Sequence, residues 1–393
     1  MSAKKTKAFF DTPTTINEFL TVEPKLNEAY SALLDSCLDM YQNDADSLCH
    51  AISEVYDHKK REFIAKDHSG KDVVKVFDID LLNKRYQKII TGDRNVKVIL
   101  NKFNLEEDSG YRELMPVTQS FFDGLTVLKK NYPNCHEFLD YVEQFAALSQ
   151  CRSHTKKMYF PPVILAGPPG VGKTAIVREV AKLLSVPCKQ LDMAAMTSGF
   201  VIAGSSSAWS DAKTGCIVDI LRDNKVANPI IILDELDKVS TDAKFDPVGG
   251  LYTLLEQEAA ARFTDEALEQ PIDASHILYV ATANNLAAIP EPLLSRFLVI
   301  NIQDVKGEHH RQVTQSIYQT LIKYEKMEQA FVPNLHNSVF EALKSYSPRE
   351  IKRLLIRAMA YAAYRKQRTI GLDINADDLT LPTIDEVRMG FLS

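Results

Sequence analysis

The stretch Gly167-Pro168-Pro169-Gly170-Val171-Gly172-Lys173-Thr174 leaves this chain few folds to choose from, because the pattern G-x-x-x-x-G-K-T works only between a strand and a helix. The apolar run 163–166 precedes it, and Ile176, Val177, Val180, Ala181 and Leu184 follow at helical spacing. Glycines let backbone N–H groups turn inward around phosphate oxygens, and the start of the next helix adds the positive end of its dipole. The motif predicts that Lys173 reaches the β and γ phosphates of ATP, that Thr174 ligates Mg²⁺, and that Ala175 lies in the same first turn. The competing reading is an ordinary Gly-Pro turn, which the flanking strand and helix oppose.

Ile230-Ile231-Ile232-Leu233-Asp234-Glu235 is a buried-strand run that ends in two carboxylates. A parallel strand delivers such residues to a ligand crevice at its carboxyl end. Asp234 is expected to hold Mg²⁺ and Glu235 to polarise an attacking water. Polar residues merely ending a strand are the alternative.

Around these two motifs, short apolar β-branched runs alternate with helical periodicity at 163–166, 186–191, 230–233, 277–282 and 298–302. That alternation is the pattern of βαβ units, so five parallel strands in one doubly wound domain are expected. Beyond residue 304 only helical patterns remain, at 313–324, 339–346 and 349–365, which predicts a small helical domain. Residues 15–66 read as helical, whereas 73–77 and 96–100 look like short strands of an N-terminal α+β region. The polar, basic stretch 149–157 is the linker candidate.

Composition excludes several classes. At 393 residues, 45% hydrophobic and 25% charged, the chain has ordinary globular usage. No apolar run nears the roughly 18 residues of a membrane span. The first residues carry lysines but no apolar core of a secretory signal, so a cytoplasmic location is the default. Six scattered cysteines without a Cys-x-x-Cys pair point to reduced packing residues rather than a zinc site or disulfide framework. His309-His310 reads as a solvated helix start. A net charge of −6 does not favour a constitutive nucleic-acid binder.

The run from Asn228 through Lys238, Asp246-Pro247 with Leu254-Leu255-Glu256, Phe263-Thr264-Asp265, the run from Tyr279 to Asn285, and the stretch from Ile289 to Arg296 together resemble the ATPase module of Lon-type proteases, an AAA+ module. The resemblance covers about 161–302 strongly and the helical tail weakly. It implies an AAA+ P-loop NTPase, a five-stranded parallel sheet with flanking helices, followed by a small all-helical lid. The division becomes 1–125 for substrate or partner recognition, 126–304 for the large α/β domain and 305–393 for the lid.

The resemblance also implies roles. Asn284 matches the first sensor, which hydrogen-bonds the γ-phosphate or the attacking water; an Asn ending the strand in a turn is the alternative. Arg296 matches an arginine finger that reaches a neighbouring subunit's nucleotide, against the alternative of a surface ion pair. Ser347-Pro348-Arg349-Glu350 reads as a capping box on its own physics. Arg349 then falls where the family keeps its second sensor, with Arg353 and Arg357 on the same face and a solvated basic face as the alternative. Trp209, the single tryptophan, falls where the family carries a pore-loop aromatic that grips threaded polypeptide. Ser210 and Asp211 replace the usual hydrophobic residue and glycine after it, and a Trp folded onto the core competes. Tyr132 stands in the place where such ATPases enclose the adenine.

Lon-type enzymes continue into a protease domain with a Ser-Lys dyad, for which residues up to 393 leave no room, so no protease activity of the chain itself is expected. The leading expectation is a ring homo-oligomer, hexameric, that couples Mg-ATP hydrolysis to remodelling, unfolding or translocating a protein substrate, alone or for a separately encoded effector. A nucleic-acid-linked motor or loader and an ATP-dependent scaffold or switch stand as alternatives.

Overall fold

The computed structural model describes residues 65–66, 71–88, 94–105, 108–152, 155–196, 198–207, 209, 212–239, 246–366 and 371–379. Contacts divide the chain into Met1–Gly70 and Lys71–Ser393. Of the first unit only the strand Ala65–Lys66 is described. The helical reading of 15–66 otherwise lies outside the described residues, and at its last two positions the strand replaces it.

The second unit begins with β1 (Asp72–Lys75), α1 (Ile79–Lys88), α2 (Arg94–Asn101) and β2 (Tyr111–Glu113). Strands β1 and β2 pair antiparallel, Val74 opposite Arg112. Residues 96–100, expected as a strand, form the body of α2. Val96, Ile99, Leu100 and the following Phe103 are buried while Lys97 and Val98 face outward. A short β-branched run has no decisive period of its own, so packing settles it as a helix. The buried Arg112 guanidinium lies 4.9 Å over the Phe77 ring, meets both Asp108 oxygens at 2.9 and 3.0 Å, and donates to the Leu221 carbonyl. Burial raises the Asp108 carboxyl, but Arg112, Lys225 and the Gly110 N–H outweigh it and leave the group below its ordinary range.

Next come α3 (Gln119–Asn131), α4 (His136–Gln150), β3 (Val163–Ala166), α5 (Lys173–Leu184), β4 (Cys188–Asp192), α6 (Phe200–Ala203), α7 (Cys216–Asn224) and β5 (Ile230–Asp234). Then follow α8 (Gly249–Leu254), α9 (Gln257–Ala260), the hairpin β6 (Phe263–Thr264) and β7 (Pro271–Ile272), β8 (Leu278–Ala283), α10 (Glu291–Leu294) and β9 (Leu298–Asn301). Five strands form one parallel sheet in the order β9-β3-β8-β5-β4. Every residue of the three central strands is buried except Asp234, whereas the edge strands β4 and β9 each bury a single residue, Leu191 and Ile300. Helices cover both faces of a parallel sheet, so its inner strands read as continuous apolar runs. The exposed Cys188 and Cys151 therefore depart from the packing role expected of the cysteines, unlike the buried Cys135.

The chain then packs α11 (Gly307–Tyr324), α12 (Asn337–Leu343) and α13 (Pro348–Lys366) around a separate core that includes Tyr318, Leu321, Val339, Leu343, Ile351 and Leu355. His310 is not solvated as its sequence context implied. It is buried in α11, with Nε2 3.0 Å from the Tyr346 carbonyl, because the fourth position of this helix already faces the core. Among the described residues no helix is long and apolar enough to cross a membrane.

One buried polar group predicts how the fold responds to acid. His276 Nδ1 lies 2.7 Å from Lys157 Nζ, and its Nε2 is 3.7 Å from Asp273. Burial first, then Lys157, depress the imidazole to about 4, with Asp273 pulling upward. Burial likewise lowers Lys157 to about 8. The neutral imidazole accepts at Nδ1 from the ammonium. Because the folded value lies below the ordinary 6.5, the stabilisation is present above that pH and drains as pH falls toward 4. At about 1.4 kcal/mol per unit this contributes up to roughly 3 kcal/mol. Denaturant unfolding at a series of pH values should show that loss in the wild type and a shallower one in His276→Gln. Equal slopes in both proteins would exclude the role.

Candidate nucleotide site

Register alone brings the two sequence motifs to one edge. Ala166 of β3 pairs with Ala283 of β8, Leu233 of β5 with Ala281, and the Gly167 N–H reaches the Ala283 carbonyl at 3.1 Å. The residues that follow these strands, the loop 167–172, Asn284 and Glu235, therefore share the carboxyl end of the sheet, where open α/β sheets bind ligands.

Gly172 caps α5 at φ 101, a left-handed conformation that costs a side-chain-bearing residue. At Gly167 the constraint is proximity, since an added Cβ would stand 2.1 Å from the Ile302 carbonyl oxygen. The first turn of α5, which holds Lys173, Thr174 and Ala175, directs N–H groups without intrahelical partners toward the loop. Asn134, which the sequence reading passed over, donates from Nδ2 to the Val171 carbonyl at 3.1 Å and holds this loop against the segment after α3. Its neighbour Tyr132 packs partly buried against the sheet core, with its hydroxyl pushed up to about 12 by burial and then by Glu179.

Lys173 is buried and donates from Nζ to the carbonyls of Gly167 at 2.6 Å and Pro168 at 2.8 Å and to Asn284 Oδ1 at 2.9 Å. Burial lowers its pKa; Asp237, Asp234 and Glu235 oppose that and Arg349 adds to it. Asp234 Oδ1 accepts from Thr174 Oγ1 at 2.8 Å and from Thr282 Oγ1 at 2.6 Å, while Oδ2 accepts from Gln190 Nε2 at 2.6 Å. Thr282 and Gln190 are orienting residues that motif reading missed. A lone threonine near the end of the otherwise apolar β8 was the available signal. Glu235 follows β5 at φ 55, donates its N–H to Thr282 Oγ1 at 3.0 Å and lies 3.3 Å from Lys238. A left-handed glutamate is held there only by its surroundings.

The donor set fits a nucleotide with a hard divalent cation. A carboxylate and a hydroxyl touch each other at the end of a helix N-terminal loop, which suits Mg²⁺. Asp237 adds a buried Oδ1 without a hydrogen-bond partner among the described residues, its Oδ2 being taken by the Asn285 N–H at 3.1 Å. A site already satisfied by its own residues would not carry that orphaned oxygen.

The remaining expected residues fall at different distances from this centre. Arg349 lies in the first turn of α13, close enough that a Cβ on Gly170 would stand 3.3 Å from its own Cβ. Glu350 accepts the Ser347 N–H at 2.8 Å and its hydroxyl at 2.7 Å, which lowers the Glu350 pKa and starts the helix. Arg353 and Arg357 are exposed. Arg296 is engaged elsewhere, with Nη2 2.6 Å from Glu256 Oε1 and the guanidinium 5.2 Å over Tyr252. Trp209 is 44% exposed and rests edge-on against Phe200, ring centroids 4.9 Å apart.

Residues 163–305 match the ATPase family associated with various cellular activities (AAA). The chain is 35% identical to the mitochondrial Lon protease homolog of Mus musculus over 67% of its own length and 27% of that protein's. It is 28% identical to the Aspergillus niger homolog over 82% and 30%, and 31% identical to Lon protease 1 of Bacillus subtilis over 59% and 29%. It thus spans under a third of the length of these relatives. A solved Thermotoga maritima RuvB mutant aligns with TM-score 0.42 at 16% identity, covering 62% of this chain and 67% of that one. With the parallel sheet and the phosphate-type loop, the family match over 163–305 gives this region as an AAA ATPase domain, one that resembles the ATPase module of the Lon proteases.

Proposed function

We propose that the chain works as a ring homo-oligomer, hexameric, that couples Mg-ATP hydrolysis to remodelling, unfolding or translocating a protein substrate. The observation that carries the catalytic part is the convergence of Lys173, Thr174, Asp234 and Asn284 at the carboxyl ends of β3, β5 and β8. In this reading Lys173 leaves the loop carbonyls for the β and γ phosphates, and residues 167–172 offer their N–H groups. Thr174 and Asp234 hold the cation, which when bound neutralises charge on the phosphate oxygens. Glu235 polarises the attacking water, Asn284 positions it, and Arg349 senses the phosphate from α13. Arg296 exchanges Glu256 for the neighbouring subunit's nucleotide, which is why the reading requires a ring.

The stretch 1–125 supplies recognition, 126–304 the motor and 305–393 the lid, and the assembly works in the cytoplasm on a protein rather than on nucleic acid. Trp209 makes the contact with polypeptide. ATPase rate measured with an unfolded protein, with DNA or RNA, and with neither discriminates the readings. Stimulation by protein alone is expected, and Trp209→Ala should remove most of it. Stimulation only by nucleic acid, or by nothing, would replace this function with a nucleic-acid motor or a scaffold.

A further inference from the structure

The segment that carries Trp209 is closed at its neck by a single buried carboxylate. Gly204 (φ 78) and Gly215 flank ten residues, of which 205–207, 209 and 212–214 are described. A Cβ on Gly204 would stand 2.5 Å from Asp265 Oδ1, and one on Gly215 would stand 2.1 Å from the Ile202 carbonyl and 2.6 Å from the Gly204 nitrogen. The two ends are thus in contact, as in an Ω-loop. Asp265 Oδ2 accepts the Gly215 N–H at 2.7 Å, and Oδ1 accepts the N–H groups of Ala267 at 2.9 Å and Leu268 at 3.0 Å. The Glu266 N–H returns to the Ala203 carbonyl at 2.8 Å. Further out, the Ser205 N–H meets the Lys213 carbonyl at 3.0 Å and Ser207 Oγ donates to Glu269.

We infer that Asp265 is the positioning residue of the Trp209 loop: it bonds the Gly215 end of the loop to the β6–β7 hairpin, with Gly204 packed against the same carboxylate, so that Trp209 is presented to a polypeptide at a set height against Phe200. This rests on the reading that Trp209 contacts the substrate. A fully buried carboxylate is costly unless every lone pair it presents is used. Here the donors are backbone groups from two separate segments, α7's N-cap and the hairpin, so the carboxylate ties one to the other. Burial pushes its pKa up to about 6 against the pull of the three N–H donors, which leaves it an ionised acceptor at neutral pH. Glycine at both ends is what admits the close approach, because any side chain at Gly204 would displace the carboxylate.

The single tryptophan makes the loop visible without labelling. Asp265→Asn keeps the shape but loses acceptor strength, and its Trp209 emission should move to longer wavelength with lower anisotropy in the absence of any substrate. The ratio of protein-stimulated to unstimulated ATPase should fall to near that of Trp209→Ala. Unchanged emission overturns the clamp. Shifted emission with full stimulation overturns its coupling to substrate engagement. Full stimulation in Trp209→Ala instead sinks the underlying reading of Trp209. Should Asp265→Asn fail to fold, amide hydrogen exchange of the wild type decides. Gly215 and Leu268 are expected to be protected like the amides of β5, and fast exchange at either overturns the clamp.

Discussion

Glu235→Gln is expected to bind ATP with near wild-type affinity and to hydrolyse it about 10²–10⁴-fold more slowly, the range lost when a positioned base is removed. The binding residues Lys173, Thr174 and Asp234 form hydrogen bonds that do not involve the Glu235 side chain. That side chain is 39% exposed and pairs with Lys238 at 3.3 Å. The backbone strain at Glu235 is relieved in neither protein, because glutamine has the same shape and the Thr282 hydroxyl still takes the N–H. Equilibrium nucleotide binding and single-turnover hydrolysis separate the two effects. Wild-type turnover in the variant would remove Glu235 from the mechanism.

Arg296→Ala should lower turnover by about 10³-fold or more, the effect of losing an arginine that stabilises charge on a transferring phosphoryl group. Within one subunit Arg296 pairs with Glu256, whose side chain is 55% exposed. Exposed pairs of this kind contribute only about 0–1 kcal/mol, so exchanging Glu256 for a nucleotide costs little. The decisive measurement mixes two inactive proteins. An Arg296→Ala subunit retains Glu235, and a Glu235→Gln neighbour retains Arg296, so mixed rings should recover part of the activity that neither protein has alone. If mixing restores nothing, Arg296 does not act across subunits.

These expectations were legible to unequal degrees. The loop 167–174 and the run 230–235 could be read directly because their chemistry is local: glycines, a lysine, a hydroxyl and two carboxylates at fixed offsets from a strand. The central strands were equally plain, since burial on both faces writes an unbroken apolar run. Residues 96–100 misled because four β-branched or apolar residues around Lys97 satisfy a strand or a buried helix turn alike, and contacts from Phe103 and the surrounding core decide. His310 misled for a related reason, as nothing in a pair of adjacent histidines says which one faces a neighbouring helix. Gln190 and Asn134 belong to no motif, and Thr282 and Asp265 lie in family-like stretches that assign them no role; the roles of all four exist only through partners 37 to 50 positions away.

Spacing along the chain thus singled out the residues proposed to hold phosphate and metal and determined that the sheet is parallel, because both follow from groups within a few residues of one another. Tertiary structure alone decided that Asn284 meets Lys173, that Arg349 abuts Gly170, that Arg296 rests on Glu256 and that one buried carboxylate closes the tryptophan loop. Those contacts depend on strand order and helix docking, which fix distances that no sequence offset encodes.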